Sequence, residues 1–117
     1  MTYLLMIVEP PGQRAERGVE AGRAAYTEML GFAERLQARG VLRAVESLAS
    51  TQQAARLQVR DGRSSWVDGP FAEAKEMIGG FFLIDVPSRD EALAIAAECP
   101  AAVWCTVEVR ETGPCWA

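Results

Sequence analysis

Within the nine residues "DGPFAEAKE" the chain places Asp68, Glu73, Lys75 and Glu76 around one Gly-Pro-Phe turn. A further carboxylate, Glu46, interrupts the apolar segment "VLRAVESLA". Carboxylates transfer protons near neutrality when burial or a neighbouring charge raises their pKa, and a lysine can balance them or hold an anion. The chain has no histidine, so acid–base chemistry would fall to these groups. Glu46 and Asp68 are the candidate catalytic pair, Glu46 foremost because an acidic residue inside a short strand segment is uncommon. Lys75, Glu76, Tyr26 and Trp66 are the candidate ligand-binding residues. Each also has a plainer role. Asp before Gly-Pro is an ordinary turn former, exposed ion pairs contribute about 1 kcal/mol at most, and aromatics at these spacings fit a core or an interface.

Other chemistries have no signature here. Cys99, Cys105 and Cys115 stand in no metal-ligand spacing and lack a histidine or cationic cluster to activate a thiolate. No glycine-rich phosphate loop or other cofactor motif is visible, so neither cofactor nor metal is expected. The net charge of −4 is uneven: Met1–Arg63 holds nine basic and seven acidic residues, and Ser64–Ala117 three basic and nine acidic. The arginines of the first half alternate with glutamates at helical spacing, which suits a solvated helix face and not a nucleic-acid reader. The longest apolar runs fall far short of the roughly 20 residues a membrane span needs. No basic-then-apolar leader opens the sequence, so a cytoplasmic protein with reduced thiols is expected.

The elements that must position these residues are legible in outline. The 117 residues suit one domain, residues 1–117. "TYLLMIV" and "GGFFLIDV" are apolar on both faces, as central strands are. Between Arg23 and Arg39, Tyr26, Met29, Leu30, Ala33 and Leu36 recur at helical steps and Gly40 ends the run. "RLQVRDGRSSWV" is a hairpin turning at Asp61-Gly62. Ser88 and Glu91 form a capping box before a stripe of Ala92, Leu93, Ile95, Ala96 and Cys99. In "VWCTVEVRE", Val103, Cys105, Val107 and Val109 alternate inward. Gly79-Gly80 marks a kink or a close backbone approach. This order predicts an α+β sandwich of the split βαβ type with both helices on one face. The bare second face of two apolar strands would then need a cover, most simply a second copy of the sheet. A homodimer packed sheet to sheet is the expectation.

The run "WVDGPFAEAKEMIGGFFLIDVPSRDEALAIAAECP" closely resembles the signature of the YCII-related, or DGPF-domain, family, and the similarity extends from "YLLMIV" to "VEVRE". The resemblance implies a ferredoxin-like dimeric α+β barrel. Most members have no assigned activity; some look like accessory proteins of extracytoplasmic-function sigma factors, and a distant enzymatic branch is thought to use a His-Asp pair. Here the corresponding helix position lies near Met29, which cannot move a proton, so that mechanism does not carry over. Two functions of different classes follow. One is a homodimer binding a small organic molecule in a cleft by the DGPF turn, with carboxylate-based lyase or isomerase chemistry. The other is a non-catalytic accessory or regulatory module. A site requires Glu46, Asp68 and Lys75 to converge in one concave pocket.

Overall fold

The structure, a computed structural model, describes residues 1–116. Its elements are β1 (Thr2–Glu9), α1 (Gln13–Arg17), α2 (Val19–Ala38), β2 (Leu42–Ser47), β3 (Ala55–Arg60), β4 (Arg63–Asp68), β5 (Met77–Asp85), α3 (Arg89–Ala97) and β6 (Thr106–Glu111). Short 3-10 turns lie at Thr51–Gln53 and Pro100–Val103. Four strands form one antiparallel sheet in the order β2-β5-β1-β6. β1 and β2 both pair with β5, and β5 and β6 flank β1, so two split βαβ units interleave. That is the ferredoxin-like α+β arrangement expected. The chain's own sheet stays open, and no closed barrel forms within one chain.

Local chemistry accounts for the boundaries. α2 ends in a Schellman motif: Gly40 adopts φ 75, its amide donates to the Gln37 carbonyl, and the Val41 amide donates to that of Leu36. The amide of Glu91 donates to Ser88 Oγ at 3.2 Å, which caps the start of α3. Of the expected capping box this N-cap half is formed, and no return bond to the Glu91 carboxylate is present among the described residues. Asp61 and Gly62 both take positive φ, the geometry of a two-residue hairpin turn between β3 and β4.

One core lies between the sheet and the two long helices. Tyr3, Leu5 and Ile7 of β1 and Phe82 and Ile84 of β5 meet Phe32 and Leu36 of α2 and Ala92, Ile95 and Ala96 of α3. Phe32 stands edge-on to Phe82, with ring centroids 5.1 Å apart. The opposite sheet face carries Leu4 and Met6 of β1 directly across from Leu83 and Phe81 of β5, and these remain partly exposed. The two-faced greasiness of the central strands is therefore met by the chain on one side only.

Three expectations need correction. The first helix begins at Val19, not Arg23, and Gln13–Arg17 before it forms a helical turn of its own. Val103 points out, 88% exposed, because Pro100–Val103 is a 3-10 turn and the strand starts only at Thr106. The β3–β4 hairpin forms as expected, yet Leu57, Val59, Trp66 and Val67 are all exposed; neither of its faces has a core behind it. Leu5 is fully buried at the centre of the sheet. Leu5→Ala should cost about 2–5 kcal/mol in urea denaturation, with an unchanged dependence on denaturant.

Candidate functional site

A cavity of about 590 Å³ opens between the first half of α2 and the helix-facing side of the sheet. It exists because both walls lack side-chain bulk at matching positions. On α2, Gly22 and Ala25 face it; on the sheet, Gly79 and Gly80 form the floor. The second half of α2 docks through Phe32 and Leu36, its only buried residues. The first half is thus held off the strands. Tyr26, Met29 and Leu30 of α2, with Val45 and Phe82 of the sheet, make the remaining wall apolar.

The floor is a β-bulge. Opposite β1 the register slips between Ile7, paired with Gly80, and Val8, paired with Ile78, so that Gly79 is the extra residue. Both glycines consequently turn inward and are buried. A Cβ on Gly79 would overlap the Glu9 carboxylate, and one on Gly80 would lie 2.8 Å from the Glu46 carbonyl oxygen. The expected close backbone approach is therefore found, and what approaches Gly79 is an ion pair.

Glu9 ends the buried face of β1 after Tyr3, Leu5 and Ile7, and its side chain is 7% exposed. Arg14 of α1 donates from Nε to Glu9 Oε1 at 2.6 Å and from Nη2 to Oε2 at 3.4 Å, and from Nη1 to the Leu48 carbonyl at 2.9 Å. One guanidinium therefore ties β1, α1 and the end of β2 together. Its neighbour Arg17 has its guanidinium 5.8 Å from the Trp104 ring centroid, and its Nε is buried with no hydrogen-bond partner among the described residues. Glu9, Arg14, Arg17 and Trp104 all border the cavity. Beside them, the Cys105 thiol donates to Gln13 Oε1 at 3.3 Å. Burial first, and then the negative charge of Glu9, push its pKa up, so it stays a thiol at neutral pH.

Of the residues expected at a site, Tyr26 lines this cavity by its side-chain face of α2. Glu46 borders it only through its backbone: it pairs with Phe81, whose side chain lies on the opposite face from buried Phe82, so the Glu46 carboxylate is on the open side of the sheet. Trp66 and Asp68 sit on the β3–β4 hairpin, Trp66 opposite Leu57 and Asp68 opposite Ala55, both exposed and outside the cavity lining. Lys75 and Glu76 are exposed in the segment leading to β5. Among the described residues none of Glu46, Asp68 and Lys75 forms a salt bridge. The expected partly buried convergence of these three is not formed in one chain. Each is exposed on a separate element, and neither Asp68 nor Lys75 borders the cavity.

The DGPF turn itself packs as a joint. The Gly69 amide donates to the Ala54 carbonyl at 2.7 Å, and a Cβ on Gly69 would overlap the Thr51 carbonyl oxygen. Arg56 lies 3.7 Å from the Phe71 ring centroid. The Asp68 carboxylate accepts no hydrogen bond among the described residues, so its side chain does not hold the turn. Sequence reasoning missed Glu9, Arg14 and Arg17. The signal was available: Glu9 continues the core-facing alternation of β1, where a charge demands a partner, and Arg14 follows after a proline turn that folds the chain back.

Among the described residues no group of three or more His, Cys, Asp or Glu could hold a metal ion, and no helix is long and apolar enough to cross a membrane. Replacement of Gly79 by Ala should displace the Glu9–Arg14 pair from its seat and cost about 2–3 kcal/mol by thermal or urea denaturation. The same change at Gly22, which has open space around it inside α2, should instead stabilise by about 0.5–1 kcal/mol.

Comparison with known proteins adds two findings. A family model described as "YCII-related domain" matches residues 1–113. An uncharacterised protein of Rhizobium meliloti (strain 1021) is 48% identical over 86 residues, which cover 74% of this chain and 61% of that protein. The chain thus spans less than two thirds of the length of that relative.

Proposed function

Since the chain belongs to the YCII-related domain family, we propose that it is a homodimeric member that binds a small, largely apolar organic molecule between α2 and the sheet. The observation that carries this reading is the cavity of about 590 Å³, apolar along most of its wall and polar at one end. That size and mixture are those of small-molecule sites. The cleft lies beside the strand that follows the DGPF turn, not at the turn itself. Lyase or isomerase chemistry by Glu46 and Asp68 would need their carboxylates brought to the ligand. In one chain the carboxylate in the wall is Glu9, and Arg14 occupies both its oxygens. Binding, rather than catalysis, is what the cavity supports.

The open sheet face supports the homodimer. Leu4, Met6, Phe81 and Leu83 form a partly exposed apolar surface that helices leave uncovered. A second sheet would cover it and complete a dimeric α+β barrel, enclosing Glu46 at its edge. A different observation favours the alternative, a non-catalytic accessory module of the kind associated with extracytoplasmic-function sigma factors. The hairpin exposes Trp66 by 64%, Val67 by 55%, Val59 by 52% and Leu57 by 48%, and two-stranded hairpins are marginal alone. A partner surface is one reason to keep such residues outside.

Two measurements test the principal reading. Saturating 1-octanol should raise the melting temperature of the protein, and Gly22→Leu, which fills the cavity from a position with open space, should abolish that shift. The variant itself should be more stable by about 0.5 kcal/mol, because leucine is the better helix former. A ligand shift that survives Gly22→Leu would place binding elsewhere. Light scattering should report about twice the 12.7 kDa chain mass, and Leu83→Lys should halve it; a monomeric wild type would sink the dimer.

A further inference from the structure

We infer that the cavity takes an organic anion, a monocarboxylate on an apolar body, with its charge paired to Arg17. This rests on the binding reading above and specifies its ligand. The charged side chains bordering the cavity on the helix side of the sheet are Glu9, Arg14 and Arg17. Glu9 and Arg14 neutralise each other at 2.6 Å. Arg17 joins no salt bridge among the described residues. One positive charge is left over, at the end of a pocket whose remaining walls are apolar.

That charge is also poised. The Nε of Arg17 is removed from solvent and has no acceptor, a state that costs free energy until an acceptor arrives. The guanidinium lies 5.8 Å from the Trp104 ring centroid, a cation–π contact that uses none of its N–H groups. A planar fork with open donors matches a carboxylate in two-point contact. A dianion would have to desolvate its second charge against Met29, Leu30 and Phe82, and a cation would meet Arg17 directly. A single carboxylate with an aliphatic or aromatic body satisfies both ends of the cavity.

Octanoate, 1-octanol and octylamine share a body and differ in charge, and calorimetric titration at neutral pH separates them. The expected result is octanoate bound about tenfold or more tightly than octanol, a ratio typical of one good charge-assisted contact, with octylamine weakest. Arg17→Met keeps the stem over Trp104 and should bring octanoate down to the octanol affinity, octanol itself being unaffected; Arg17→Lys should keep part of the preference. Octanoate bound no better than octanol by the wild type, or a preference that survives in Arg17→Met, overturns the anion site and leaves the apolar cavity standing. Failure of the wild type to bind any of the three overturns the cavity reading and this inference together. Circular dichroism establishes that the variants fold, and if Arg17→Met does not, the wild-type ratio of octanoate to octanol decides alone.

Discussion

A buried carboxylate must have a partner, and in this protein the partner of Glu9 decides where the first helices go. Arg14 can reach Glu9 only if the chain after β1 folds back over the end of the sheet, and the pair can lie there only because Gly79 has no side chain. The bulge that turns Gly79 inward supplies that gap. Tethered in this way, α1 delivers the start of α2 above the glycine floor instead of onto it. The far half of α2 is drawn down by Phe32 and Leu36. A helix docked at one end and propped at the other leaves a cavity between.

The same arrangement explains the chemistry of the cavity. Its apolar wall is the ordinary core-facing stripe of α2, left without a packing partner over its first turns. Its polar end is the structural ion pair together with Arg17, the adjacent arginine on α1, whose position over Trp104 is set by packing. The site arises from side chains that are missing as much as from those present.

The DGPF turn has a different part in the molecule. Gly69 and Phe71 bind the hairpin to its own base through the Ala54 carbonyl and Arg56, so the motif shapes the passage from hairpin to central strand. The acidic and basic residues that follow it stay in solvent. Their density reflects the solvated rim of a loop in one chain, next to a sheet face and a hairpin that both present apolar side chains outward.

Element types and their order were legible in the residues. Apolar runs marked β1 and β5, alternation β6, Asp61-Gly62 the turn of the hairpin, Ser88 the start of α3 and Gly40 the stop of α2, because each of these depends on contacts within a few residues. Two strands apolar on both faces, with too few helices to cover both, were enough for the one-sided sandwich. The site was not legible. Glu46, Asp68 and Lys75 looked like neighbours because charges near hydrophobic strands invite a pocket, but alternation in a sheet decides the face of each, and register is a long-range property. The pairing of Val8 with Ile78 instead of Gly79 turned two glycines inward, and only the folded chain brings Glu9, Arg14 and Arg17 against the space those glycines leave. Local pattern determined what the pieces are; the register of one bulge and the partner of one buried charge decided where the empty space lies.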